Sequence, residues 1–394
     1  MTLSAAPFQL SPVGERLLAE AQKIATDVAS PAAAAVDRNA RFPYESIRAL
    51  RDARLLGAYV PTDLGGEGAS IGDVAAICHA LGQRCASSAM VFAMHQIQVA
   101  CLVHHGQGVP GLRAFMEALS SQQRLLASAT TERGIGGDVR SSLCAVDLKQ
   151  ERFALRKDAP VISYGDHADD ILVTARRNAD APPSDQVIVV VDKSTATLEP
   201  TTCWDTLGMR GTCSNGYILS ATGSSDRVLP EPYADISAQT MLPVSHIVWA
   251  SLWLGIATDA VNTARRHLRS QARKTAGVVP GSASDVAVLF ADLEMVRATV
   301  ESSVRTYESL YHDPVAVSAP SIVVRMNALK TSVSTAVARI VQAAMQVCGI
   351  DAYRNDSPYS LGRHLRDAQS GALMVHNERI LANNGRLLCV YKGD

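Results

Sequence analysis

Apolar residues recur at helical spacing from Ser11 onward, with Leu17, Leu18, Ala21, Ile24 and Ala25 falling on one face of a 3.6-residue period. The alanine-rich run 31–36 extends that pattern, and Phe42-Pro43 opens a further helix through Ile47, Leu50 and Leu55. The segment 60–68 breaks it: Pro61 and the glycines at 65, 66 and 68 do not sit inside a helix. Helical spacing resumes over 71–81 and 89–105. Between about 124 and 229 the pattern changes to short β-rich runs at 125–130, 171–174 and 187–191, separated by turn clusters such as 178–185 with its Pro182-Pro183. From 245 to 384 the helical period returns. Its clearest stretch sets Val286, Leu289, Phe290, Leu293, Val296, Val300 and Val304 on one face, opposite Asp285, Asp292, Glu294 and Arg297. A second long helix is predicted over 321–347.

This order predicts an α+β chain in three parts: a helical domain over 1–122, a middle β domain (barrel or sandwich) over 123–236, and a C-terminal four-helix bundle over 237–394. Hydrophobic residues make up 47% of the 394 and charged residues 19%, which is enough apolar surface for a large core. The net charge of −1 leaves no overall field to attract nucleic acid or an anionic membrane. No C-x-x-C pair occurs among the eight cysteines, so reduced core thiols in a cytoplasmic protein are expected, with neither a disulfide framework nor a metal site. No basic, then apolar, leader marks the first residues, and the apolar stretch 247–257 is shorter than the ~20 residues a membrane span needs. A membrane partner is not expected.

Six short motifs follow one another along the chain. They are Val60-Pro61-x-x-Leu64-Gly65-Gly66-x-Gly68, then Thr131-Glu132-Arg133-Gly134-Ile135-Gly136-Gly137-Asp138, then Leu207-Gly208-Met209-Arg210-Gly211-Thr212. Arg273-Lys274-Thr275, Gln346-Val347-Cys348-Gly349 and Leu365-Arg366-Asp367-Ala368 complete the series. In this order and at these spacings the chain resembles the acyl-CoA dehydrogenase superfamily, from about Phe42 to Asn384. The resemblance implies bound FAD, an acyl-thioester substrate, an electron acceptor and a homotetramer or homodimer. It implies that Thr131, Gly136 and Gly137 line the flavin or thioester site, with Val161 and Ser163 at the isoalloxazine edge and Asn377 also on the cofactor. Arg273, Gln346 and Gly349 are implied to reach FAD across a subunit boundary, where a guanidinium fork suits a pyrophosphate. The aromatic residue that the family carries three positions after Arg273 is Ala276 here.

The chain departs from the family at the catalytic base. Taking the α-proton of a thioester needs a positioned carboxylate. The family's glutamate, nine residues after the arginine of the Arg-Asp-Ala motif, corresponds to Val375, and its second location corresponds to Ser245. Three readings follow. His376 or Glu378 takes over as base in a dehydrogenase or oxidase; or the chain resembles the family's monooxygenases, which use reduced flavin from a flavin reductase together with oxygen, with His95 and Ser163 near the flavin; or the site is a non-catalytic flavin-binding scaffold.

Overall fold

The computed structural model describes residues 8–274 and 279–390. Six helices build the N-terminal part: α1 (Pro12–Ile24), α2 (Ser30–Arg38), α3 (Tyr44–Asp52), α4 (Ile71–Gly82), α5 (Ala86–His105) and α6 (Pro110–Gln122). Local chemistry starts them. Ser11 caps α1 by accepting from the Gly14 N–H, and its own hydroxyl donates to Asp73. Asp73 in turn closes a capping box with Ser70 at the start of α4, so one buried carboxylate joins two helix starts. The 60–68 segment is a loop, with Gly65 and Gly68 at φ 77° and 68°.

Two sheets make up the middle part. Strands β1 (Leu126–Ala129), β2 (Asp147–Lys149), β3 (Arg152–Ala159), β4 (Asp170–Arg176), β5 (Gln186–Asp192), β6 (Ala196–Thr202) and β7 (Gly216–Ser224) are ordered β1-β4-β5 in one sheet and β2-β3-β7-β6 in the other. The pair β1–β4 is parallel and the remaining ladders are antiparallel.

The C-terminal part begins at Tyr233, four residues before the expected start at 237: α7 (Tyr233–Ile236) runs through a π-helical turn at Ser237–Met241 into α8 (Leu242–Lys274). It packs with α9 (Ala283–Leu310) and α11 (Pro320–Cys348), while α10 (Pro314–Val317) and α12 (Ile350–Tyr353) are single turns. Helices α13 (Gly362–Leu373) and α14 (Asn377–Val390) complete the bundle against α11. The predicted face of α9 is buried except at Phe290, which is 37% exposed. Where α4 crosses α8, Cβ atoms added at Gly82 and Gly255 would stand 2.4 Å from the Leu252 and His79 carbonyl oxygens, so glycine sets how closely those backbones approach. Two helices, Ala86–His105 and Tyr233–Lys274, are long and apolar enough to span a bilayer by length and composition, contrary to the sequence expectation. Each has 94% of its most apolar window buried inside the fold, where such apolarity serves as core.

Candidate active site

A cavity of about 550 Å³ lies where the three parts meet, within the range of small-molecule sites. One wall, from the β domain, is a row of hydroxyls: Ser128, Thr130, Thr131, Ser163, Thr212 and Ser214. The helical elements contribute mainly apolar, soft side chains, Met90, Met94, Ile97, Met241, Trp249 and Met374, with Gln98, Ser245, Gln369 and Ser370 among them. The π-helical turn before α8 carries Met241 into this lining and places Ser245, whose hydroxyl donates to the Met241 carbonyl.

The hydroxyl wall is held by a network that sequence reading missed. Thr131 donates to the Val161 carbonyl at 3.2 Å, which ties the 131–142 loop to the segment after β3. Glu132 is buried and accepts from Ser142 Oγ (2.7 Å), Leu143 N (3.1 Å) and Cys144 N (2.7 Å), closing both ends of that loop. Lys157 Nζ lies 3.3 Å from Glu132 and donates to the Thr174 carbonyl at 2.6 Å. Burial pulls the Lys157 pKa down, while Glu132 and Cys144 hold it up. The signal was present: a lysine in a buried slot of an alternating strand needs a buried counter-charge. Ser214 donates to Ser163 Oγ at 2.9 Å, which leaves the Ser163 proton free to donate into the cavity.

Two motifs distant in sequence meet at the cavity edge. The buried Asp367 carboxylate accepts from the Met209 N–H at 2.7 Å, and a Cβ on Gly208 would stand 2.3 Å from the Arg366 carbonyl oxygen. Arg366 lines the cavity and its guanidinium pairs with Asp37 of α2.

Of the sequence-predicted residues, Thr131, Val161, Ser163 and Val375 line the cavity. Others lie elsewhere. Gly136 and Gly137 form an exposed turn at φ 61° and 75° whose carbonyls accept from Arg379 of α14; among the described residues they are not in the cavity lining, because this clasp turns the loop toward the bundle. Asn377 faces inward to the bundle, accepting from Lys330 Nζ at 2.7 Å and donating to Ser334 at 3.0 Å. The expected bases His376 and Glu378 are both exposed and outside the cavity lining. Val375 at φ 53° and His376 at φ 33° form a left-handed corner at the cavity edge, with Val375 in the lining and His376 outside it. His95 is fully buried, with Nε2 donating to the Leu56 carbonyl (2.7 Å) and Nδ1 accepting from Leu126 N (3.0 Å). Both ring nitrogens are consumed by backbone, so His95 splices α5 to β1 and has no free nitrogen for a ligand; burial drops its pKa to about 4. Arg273 is exposed at the end of α8, and Gln346 and Gly349 line an open groove with Tyr353 and Leu365. Ala276 lies outside the described residues.

A helical domain, a two-sheet β domain and a helical bundle enclosing one cavity at their junction define the acyl-CoA dehydrogenase architecture. Residues 12–108 match the family model of the acyl-CoA dehydrogenase N-terminal domain and residues 236–375 that of its C-terminal domain; the chain belongs to this superfamily. It is 27% identical to an amino sugar nitrososynthase of Streptomyces peucetius over 347 residues, covering 86% of this chain and 84% of the relative. It is 24% identical over 361 residues to cyclohex-1-ene-1-carbonyl-CoA dehydrogenase of Syntrophus aciditrophicus, covering 90% and 84%. The crystal structure of FMN-bound TdsC from Paenibacillus sp. A11-2 superposes with a TM-score of 0.83 at 20% identity, covering 95% and 97%.

Proposed function

We propose that this chain is a flavin-dependent monooxygenase built on the acyl-CoA dehydrogenase fold, fed with reduced flavin by a separate reductase. One observation carries the reading: among the described residues, the cavity lining includes no carboxylate, imidazole or amine. Dehydrogenating a thioester needs a base in reach of the α-proton. Both places where the family keeps one are filled here by Val375 and Ser245, and the replacement candidates His376 and Glu378 point to solvent. Oxygen insertion has no such requirement. It consumes one O₂, two electrons and two protons, putting one oxygen atom on the substrate and the other into water.

The residues present fit a flavin. A flat ring system with one polar edge matches a cavity with one hydroxyl wall and one methionine- and tryptophan-lined wall. The flavin, when bound, supplies the redox chemistry and the site of oxygen reaction. Thr131 and Ser163 would orient its polar edge, and the free Ser163 proton is available to hydrogen-bond or relay there. The apolar wall keeps water from that reaction. Whether the cofactor is FMN or FAD turns on a second copy of the chain: Arg273, Gln346 and Gly349 are exposed, away from the hydroxyl wall, and would hold an ADP half only across a subunit boundary. Among the relatives above, the nitrososynthase of S. peucetius acts on an amino sugar by its name, and TdsC is described as a dibenzothiophene monooxygenase, which supports oxygen chemistry on this scaffold.

The test supplies NADH, a flavin reductase, flavin and ¹⁸O₂ with a panel of small neutral substrates. One ¹⁸O per product molecule is expected. Peroxide as the sole product across the panel, together with thioester-dependent flavin reduction, would return the chain to the dehydrogenases.

A further inference from the structure

Two buried polar atoms on the apolar wall of the cavity have no partner. Gln98, on α5, is 3% exposed; its Nε2 donates back to the Met94 carbonyl at 3.5 Å, leaving Oε1 without a donor. Trp249, on α8, is 8% exposed, and its indole Nε1–H has no acceptor. Both side chains line the cavity, and they are the only two cavity-lining side chains among the described residues with such an orphaned atom. Buried polar groups in folded proteins are satisfied almost without exception, because leaving one bare forfeits its hydration with no return. One acceptor and one donor set in an otherwise methionine-lined wall are therefore matched by whatever the cavity holds.

We infer that Gln98 and Trp249 form a recognition subsite for a neutral substrate with an apolar body and one head group that both donates and accepts a hydrogen bond. A primary amide, an oxime or a hydroxyl meets that description: its N–H or O–H donates to Gln98 Oε1 and its oxygen or nitrogen accepts from Trp249 Nε1–H. An anionic head does not. The one charged side chain among the described lining residues is Arg366, which is already paired with Asp37, and a carboxylate facing Gln98 Oε1 would meet an acceptor with an acceptor. A bare hydrocarbon leaves both atoms orphaned. A site that hydrogen-bonds its ligand discriminates strongly against the analogue lacking the group, for that reason.

The assignment deepens the monooxygenase reading by naming its substrate class, and it rests on that reading only for what happens after binding. The experiment is calorimetric titration of the flavin-loaded protein with naphthalene, 2-naphthamide and 2-naphthoate, three ligands with one body and different heads. The amide is expected to bind about tenfold tighter than either of the others. Gln98→Leu and Trp249→Phe are each expected to bring the amide down to the affinity of naphthalene, with flavin content and melting temperature reporting that the variants fold. Naphthalene binding as tightly as the amide, or an amide preference that survives in both variants, would overturn the subsite. If the preference is present but no ligand is oxygenated with reduced flavin and O₂, the subsite stands and the monooxygenase reading fails.

Discussion

At residue 375 a valine, 47% exposed, takes a left-handed backbone angle, φ 53°, at the cavity edge. A β-branched side chain is strained there, and the chain just after it is anchored by Asn377 on Lys330 and by Arg379 on the 134–137 turn. Glutamate at this position would be partly desolvated, which raises its pKa toward the working pH and suits it to proton abstraction. Val375→Glu is therefore expected to create acyl-CoA-dependent flavin bleaching, absent in the parent, in anaerobic stopped flow. His376→Ala and Glu378→Gln, each added to Val375→Glu, should leave that bleaching unchanged; a loss in either would give that residue a part in proton abstraction. His95 teaches a different lesson at the same scale. The sequence set it on an apolar helix, where a histidine satisfied inside the core and a histidine aimed at a ligand read alike. Only the fold brings Leu56 and Leu126 to its two nitrogens. His95→Leu should lower stability by roughly 1–3 kcal/mol, since the buried Leu126 N–H loses its acceptor while the Leu56 carbonyl keeps Gln96 as its donor. The check is chemical denaturation, and an unchanged midpoint would remove the splice.

Among elements, the 131–142 loop depends on one buried ion pair. Glu132→Gln strands the Lys157 charge in the interior and is expected to cost about 3–5 kcal/mol and to lower flavin content. The double change Glu132→Gln with Lys157→Met should recover much of the stability but not the loop geometry, read as a restored melting temperature with poor flavin retention. Equal loss in single and double variants would mean that the pair has no coupling. Long helices were legible because a helical period over many residues survives a few exceptions, as α4, α5, α9 and α11 demonstrate. The strands β1, β4 and β5 were legible as apolar runs because both of their faces are buried. Strand β3 was not, since its alternation places Lys157 in an inward slot, and β6 was not, because it is mostly exposed and contains Pro200. The flavin-loop motif was readable as a motif, but the clasp by Arg379 that turns Gly136 and Gly137 from the cavity joins positions more than 240 apart in sequence.

Over the whole molecule, burial holds several histidines neutral: His79 and His246 fall to about 3, and His95 and His104 to about 4. Their folded pKa values lie below the unfolded value of about 6.5, so the unfolded chain binds more protons. The stability they contribute is complete above about pH 6.5 and is lost as the pH falls toward 4, by roughly 1–2 kcal/mol for each by pH 5. Thermal unfolding at pH 7 and pH 5 checks this; a melting temperature independent of pH over that range would contradict it. At the same scale, the cavity joins all three parts of the chain, and the lack of a base among its described lining residues is a property no single motif carries. The direct measurement is anaerobic stopped-flow mixing of the flavin-loaded parent protein with a panel of saturated acyl-CoAs, following flavin absorbance. No bleaching by any of them is expected, with bleaching appearing in Val375→Glu. Fast bleaching of the parent, unaffected by changes at His376 and Glu378, would contradict this, because a base would then be acting in a cavity whose described lining residues include none.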